Sequence, residues 1–254
     1  MNPLLTSGIV LVCIFGGAVA GILLRRRLPD EHLSTDTKEI VKLVMGIVGT
    51  MTGMVLGLLV ASAKSSFDGQ RNGVSQLAAN VVVLDRSLKH YGPESQDARA
   101  SLRASVADLI HRMWPDEPAP AVEPGVATGP DGHYEEVYNR ILSLQPKTDA
   151  QRTTQAQALK IVHDTAQLRS NMSSQQGSSI PLIFLVLLVA WMSITFASFG
   201  LFAQRHLTTY AVLFLGACVV SSAVYLILEL DQGFGGLIHI PSEPLRNAIQ
   251  QLGK

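Results

Sequence analysis

The chain has 254 residues, 47% of them hydrophobic and 16% charged, with a formal net charge of zero. Soluble domains carry about 25% charged residues, and here the deficit is concentrated: residues 8–24, 43–63, 180–203 and 207–228 contain no Asp, Glu, Lys or Arg. That distribution excludes a simple cytosolic globule, and a neutral chain offers no basic face to nucleic acid.

A helix needs roughly 17 to 20 apolar residues to cross the hydrocarbon core of a bilayer. All four stretches meet that length, which predicts an all-α integral membrane protein with four transmembrane helices and a lipid bilayer as its surroundings. Ala18-Val19-Ala20 has the form of a signal-peptide cleavage site, but no Lys or Arg precedes the first stretch and Arg25-Arg26-Arg27 follows it. That is the reverse of the usual charge order, so the segment reads as a retained helix. Arg25–Glu39 forms the first connection, with a polar turn at Pro29 and Asp30-Glu31.

The second helix is the most informative. At 100° per residue, Gly46, Gly49, Gly53 and Gly57 fall within an arc of about 80°, and Thr50 and Ala61 extend the same small face. Such a face is a helix-packing seam of the small-xxx-small kind or the wall of a pore, and both need a partner helix. Lys64, Asp68 and Arg71 follow at spacings of four and three. They form an interfacial lysine with a helical ion pair, or a charged vestibule that biases which ions enter.

The soluble insert, residues 64–179, lies between the second and third membrane helices and reads as a helical bundle. Phe67, Val74, Leu77, Val81, Leu84 and Leu88 make a heptad seam. With no proline between Pro29 and Pro93, the second membrane helix is expected to run into this seam, with Gly69, Asn72 and Gly73 as a hinge or change of register. Gly92-Pro93 ends it. A further helix is expected over 94–113 with Leu102, Val106, Leu109 and Met113 on one stripe. A proline- and glycine-rich mobile loop follows over 115–132. Two more helices are expected, over 133–144 with Tyr134, Val137 and Ile141, and over 149–172 with Ala156, Leu159, Val162, Ala166 and Met172.

The third and fourth membrane helices, within residues 180–230, are joined by a tight hairpin at Gln204-Arg205-His206, and residues 231–254 form a short tail. Glu229 and Asp231 stand where the fourth helix leaves the membrane, an interfacial position for acids and a weaker site candidate. Ser193, Thr195, Ser198, Ser221 and Ser222 lie at membrane depth, where hydroxyls bond between helices or to their own backbone. The first membrane segment, residues 1–63, thus pairs with the second, 180–230, around the insert. Short-loop arginines put both hairpins in the cytoplasm, and the termini and insert on the extracytoplasmic side.

Nothing in the residues suggests catalysis. Seven histidines are scattered without the His-Glu-x-x-His spacing, and Cys13 and Cys218 are isolated within apolar stretches. Gly233-Phe234-Gly235-Gly236 follows a membrane helix rather than a strand, so it fails the context of a nucleotide loop. No catalytic residue, metal site or cofactor is expected.

Three stretches carry a resemblance: Leu58 to Lys64 with Asp68; Leu84-Asp85-Arg86 through Gly92-Pro93, with Ala98-Arg99; and Asp231 to Gly236 with Ile240-Pro241-Ser242-Glu243-Pro244-Leu245. In these and in its layout the chain resembles the bestrophin-like domain family of bacterial membrane proteins, a domain of unknown function. The resemblance implies kinship with bestrophins, which are oligomeric anion channels with four membrane helices per subunit, a pore lined by the second helix and a cytoplasmic insert. It therefore implies a homo-oligomer in the bacterial inner membrane passing small inorganic ions. Two departures stand out. Residues 43–63 lack the phenylalanine of a bestrophin neck, and the acids occur in pairs such as Asp116-Glu117 and Glu135-Glu136 rather than in a calcium-binding cluster. The alternative function is a non-conducting scaffold or sensor whose insert binds an unknown protein partner.

Overall fold

The computed structural model describes residues 2–29, 35–118, 132–174, 182–203 and 206–252. Among them the secondary structure is helical: α1 (Pro3–Leu24), α2 (Thr35–Tyr91), α3 (Gln96–Met113), α4 (Gly132–Leu142), α5 (Asp149–Ser174), α6 (Leu182–Phe202), α7 (Leu207–Asp231) and α8 (Glu243–Gln251). Four of these, α1, α2, α6 and α7, are long and apolar enough to cross a membrane. The polar turn at Asp30-Glu31, the loop residues 119–131 and hairpin residues 204–205 lie outside the described residues.

Two compact units emerge, and α2 contributes to both as one uninterrupted helix of 57 residues. At about 1.5 Å per residue it is roughly 85 Å long. It begins before Glu39, and Gly69, Asn72 and Gly73 do not break it.

The first unit comprises residues 1–67, 178–232 and 236–238. Helix α1 is capped by Asn2, whose side chain accepts from the Leu4 amide, with Pro3 in its first turn. Its buried line of Ser7, Val10, Ile14, Ala18 and Ile22 follows the helical period and packs along α6 and α7. The contact with α6 is made by backbone. A Cβ on Gly17 would lie 2.6 Å from the Ser193 carbonyl oxygen, while one on Gly21 would strike that of Ala197 and one on Gly200 that of Ala18. Close approach of this kind compensates for the absence of a hydrophobic drive between helices in lipid. Against α7, the Ser221 hydroxyl donates to the Ser7 carbonyl at 2.6 Å, and Phe15 meets Phe214 edge-on with centroids 5.4 Å apart. Thr195, Ser198 and Ser222 instead donate to carbonyls of their own helices.

The second unit comprises residues 68–177, 233–235 and 239–254. Val74, Leu77, Val81, Leu84 and Leu88 of the heptad seam are buried. Gly73 is buried under the Met172 side chain of α5: a Cβ there would lie 2.7 Å from the Met172 sulfur. Gly92 adopts φ +127°, a left-handed conformation that favours glycine, and starts the turn into α3. The buried line of α3 is Ala98, Leu102, Val106, Ile110 and Trp114, with the expected Leu109 and Met113 only half-buried. Alanine at 98 and tryptophan just past the helix end obscured that register, and α3 faces both α4 and α8. In α4, Val137 and Ile141 are buried. In α5 the buried residues are Ala158, Val162 and Met172, whereas Ala156 is exposed.

The tail carries its own helix and joins this unit. The Trp114 indole N–H donates to the Ile240 carbonyl at 2.7 Å, and its ring meets Phe234 edge-on. Arg246 binds Glu117 at 2.9 Å and the Pro118 carbonyl at 2.8 Å, while Leu245, Ala248 and Ile249 of α8 are buried.

The α1–α6 contact makes a direct prediction. Gly21→Ala lowers stability by about 1 to 3 kcal/mol, the usual range for overpacking. Gly8→Ala in the same helix, where a Cβ meets nothing within 4 Å, leaves the detergent unfolding temperature unchanged.

Candidate functional site

Helix α2 presents three kinds of surface in the first unit. Thr52, Leu59, Ala63 and Phe67 are buried and define its packed side. Thr52 satisfies its hydroxyl by donating to the Val48 carbonyl at 2.7 Å. Ile40, Leu43, Ile47, Met51, Met54 and Leu58 are exposed and apolar. Between these, about 100° round from the packed side by the helical period, runs the stripe of Gly46, Gly49, Gly53 and Gly57.

The glycine stripe has no neighbour among the described residues. A Cβ built on any of the four meets nothing within 4 Å, in contrast to Gly17, Gly21 and Gly200. Thr50 is exposed on the same side and donates its hydroxyl to the Gly46 carbonyl at 2.9 Å, leaving the oxygen lone pairs outward. Lys64 and Arg71 are exposed and Asp68 is half-buried. By the helical period these three continue the stripe.

Glu229 and Asp231 part company. Asp231 is half-buried, whereas Glu229 is 3% exposed, which no interfacial acid needs to be. The Leu237 backbone N–H donates to its carboxylate, and the Tyr225 hydroxyl bonds it from one turn earlier. Its fixed position comes from Gly236 and Leu237, seven and eight positions later, which periodicity does not register.

The second unit shows what one of the family-like stretches does, Leu84 to Pro93 with Ala98-Arg99. Asp85, 6% exposed, holds Arg99 through two parallel bonds of 2.7 and 3.0 Å. That bidentate contact raises the Arg99 pKa above its ordinary value. Nearby, Tyr91 is buried, and its hydroxyl has no hydrogen-bond partner among the described residues. Burial, and then the charge of Glu94, push its pKa upward. The Lys147–Glu94 pair at 3.2 Å and the Gln151 amide, which donates to the Tyr91 carbonyl at 3.0 Å, tie the same corner together. No group of three or more His, Cys, Asp or Glu residues able to hold a metal occurs among the described residues.

The α1–α6 seam is a feature that periodic reading passed over, although the Gly17-x-x-x-Gly21 spacing was its signal.

Two outcomes follow for the second unit. Arg99→Ala leaves the Asp85 carboxylate buried and unpaired, at a loss of about 3 kcal/mol; the double replacement Asp85→Leu/Arg99→Leu recovers most of it in urea unfolding. Tyr91→Phe removes a buried hydroxyl without a protein partner and raises stability by up to about 1 kcal/mol.

The model of the bestrophin-like domain matches residues 12–245 of the chain. Several solved structures are similar in fold. A bacterial bestrophin homolog from Klebsiella pneumoniae, in a single-mutation form, is 18% identical over 96% of each chain with a TM-score of 0.68. Another variant of that homolog is 17% identical over 99% of this chain and 97% of its own, with a TM-score of 0.70. A structure described as a membrane protein is 17% identical over 96% of each chain, with a TM-score of 0.72. No curated protein matches the sequence. With a family match over nearly its whole length and the fold of bacterial bestrophin homologs, the chain belongs to the bestrophin-like domain family.

Proposed function

We propose that this protein is an oligomeric, non-enzymatic ion channel of the bacterial inner membrane. In this reading α1, α2, α6 and α7 span the bilayer, and the glycine stripe of α2 lines the path. One observation carries it. A helical glycine costs up to about 1 kcal/mol relative to alanine, and four share one stripe of a span with nothing among the described residues packed on them. Within the subunit the stripe has no packing purpose, so its purpose lies with something outside: an aqueous path around which copies assemble.

Family membership supports the same reading, since bestrophins conduct through their second membrane helix. The path would be narrow and unobstructed by side chains, with Thr50 as its polar station. Lys64, Asp68 and Arg71 continue the line as a vestibule that tunes ion entry. Short-loop arginines favour an extracytoplasmic insert, against the cytoplasmic insert that kinship with bestrophins implies, and thiol labelling of a cysteine engineered into the insert of whole cells decides between the two.

Purified protein in a planar bilayer under a salt gradient gives discrete openings, and the reversal potential fixes the sign of the permeant ion. Gly53→Leu abolishes these currents, by more than tenfold, while the oligomer keeps its mass in detergent. A silent bilayer with inserted, oligomeric protein overturns the channel. It leaves a scaffold or sensor whose insert docks a protein partner, with the stripe as a packing seam between copies.

A further inference from the structure

The segment after α7 doubles back on the helix that precedes it. Its turn is closed by the bond from the Leu237 backbone N–H to the Glu229 carboxylate, two residues inside the end of α7. Gly236 makes the reversal possible. It has φ +104° and lies so close to the same carboxylate that any Cβ would collide with it. Both features are unfavourable in isolation: a buried carboxylate needs partners, and at a helix C-terminus it opposes the macrodipole.

What this arrangement holds in place is apolar and uncovered. Leu237 is 82% exposed and Ile238 38% exposed, and both cluster with the unit of spanning helices. The backbone amide beneath them is satisfied internally, as a segment shielded from water demands. The fold-back also lays Leu237 level with the last turn of α7 rather than beyond it.

We propose that Leu237 and Ile238 form a wedge inserted into the membrane interface, with the headgroup–hydrocarbon boundary of the bilayer as its partner. Glu229 and Gly236 are its positioning residues. The wedge fixes the depth of the α7 end by an apolar contact where the chain carries no interfacial Trp or Tyr in that segment. This inference rests on the reading that α7 spans a bilayer.

Spin labels at L237C and I238C, in the full chain carrying C13A and C218A and reconstituted in phosphatidylglycerol–phosphatidylethanolamine vesicles, test it. A V212C label, at a site on α7 that is 67% exposed, reports the span itself. At 237 and 238 we expect collisions with dissolved oxygen to exceed those with a water-soluble nickel chelate severalfold, and G236A to cut that ratio at least threefold. Labels reached by the chelate as readily as by oxygen overturn the wedge. Labels shielded from both also overturn it and assign Leu237 to a contact with a second copy. If V212C is reached by the chelate as well, the spanning assignment of α7 fails along with the wedge.

Discussion

One continuous ladder of backbone hydrogen bonds in α2 runs from an apolar stretch long enough to cross a membrane into a buried heptad seam. Hydrocarbon accepts no unpaired backbone polar group, so a spanning segment must be helical throughout. The seam that follows buries Val74 to Leu88 against protein under the ordinary hydrophobic rule. A break between the two would leave carbonyls and amides without partners near the membrane end. No proline falls between Pro29 and Pro93, and the helix accordingly runs to Tyr91, where Gly92 in a left-handed conformation turns the chain.

Glycine is used in two opposite ways in the first unit. At Gly17, Gly21 and Gly200 the missing Cβ lets α1 and α6 touch backbone to backbone, and dispersion contacts replace the hydrophobic effect that lipid does not supply. At Gly46, Gly49, Gly53 and Gly57 the same absence creates unfilled space along a helix face. The first use is structural within one subunit. The second gives the subunit no stability, and it is this asymmetry that directs attention to the surroundings of α2 for function.

Polar groups are placed with similar economy. The Asp85–Arg99 fork, the Trp114–Ile240 bond and the Arg246–Glu117 pair join segments distant in sequence within the second unit. Within the first unit Glu229 closes a local turn instead, the one that exposes Leu237. Asp85, Arg99 and Ile240 lie in the stretches that carry the family resemblance, and their contacts are those of a fold assembled from separated pieces.

The amino-acid sequence by itself determined the four apolar helices, the continuity expected of α2, the heptad seam and the glycine stripe, because each is a local pattern with a physical period. It also carried the family, through stretches spread over most of the chain. Tertiary structure decided the rest. Periodicity placed Leu109 and Met113 on the α3 stripe, whereas packing on two neighbours selected Ala98, Ile110 and Trp114 instead. It did not distinguish the glycines that pack from those that do not, since Gly17 and Gly53 have equivalent sequence surroundings. Nor did it reveal a helix in the tail, which packs on the distant α3, or the burial of Glu229, which depends on a turn that leaves the helical period just after α7. A period identifies which residues share a face; only the fold brings a neighbour to that face or leaves it open.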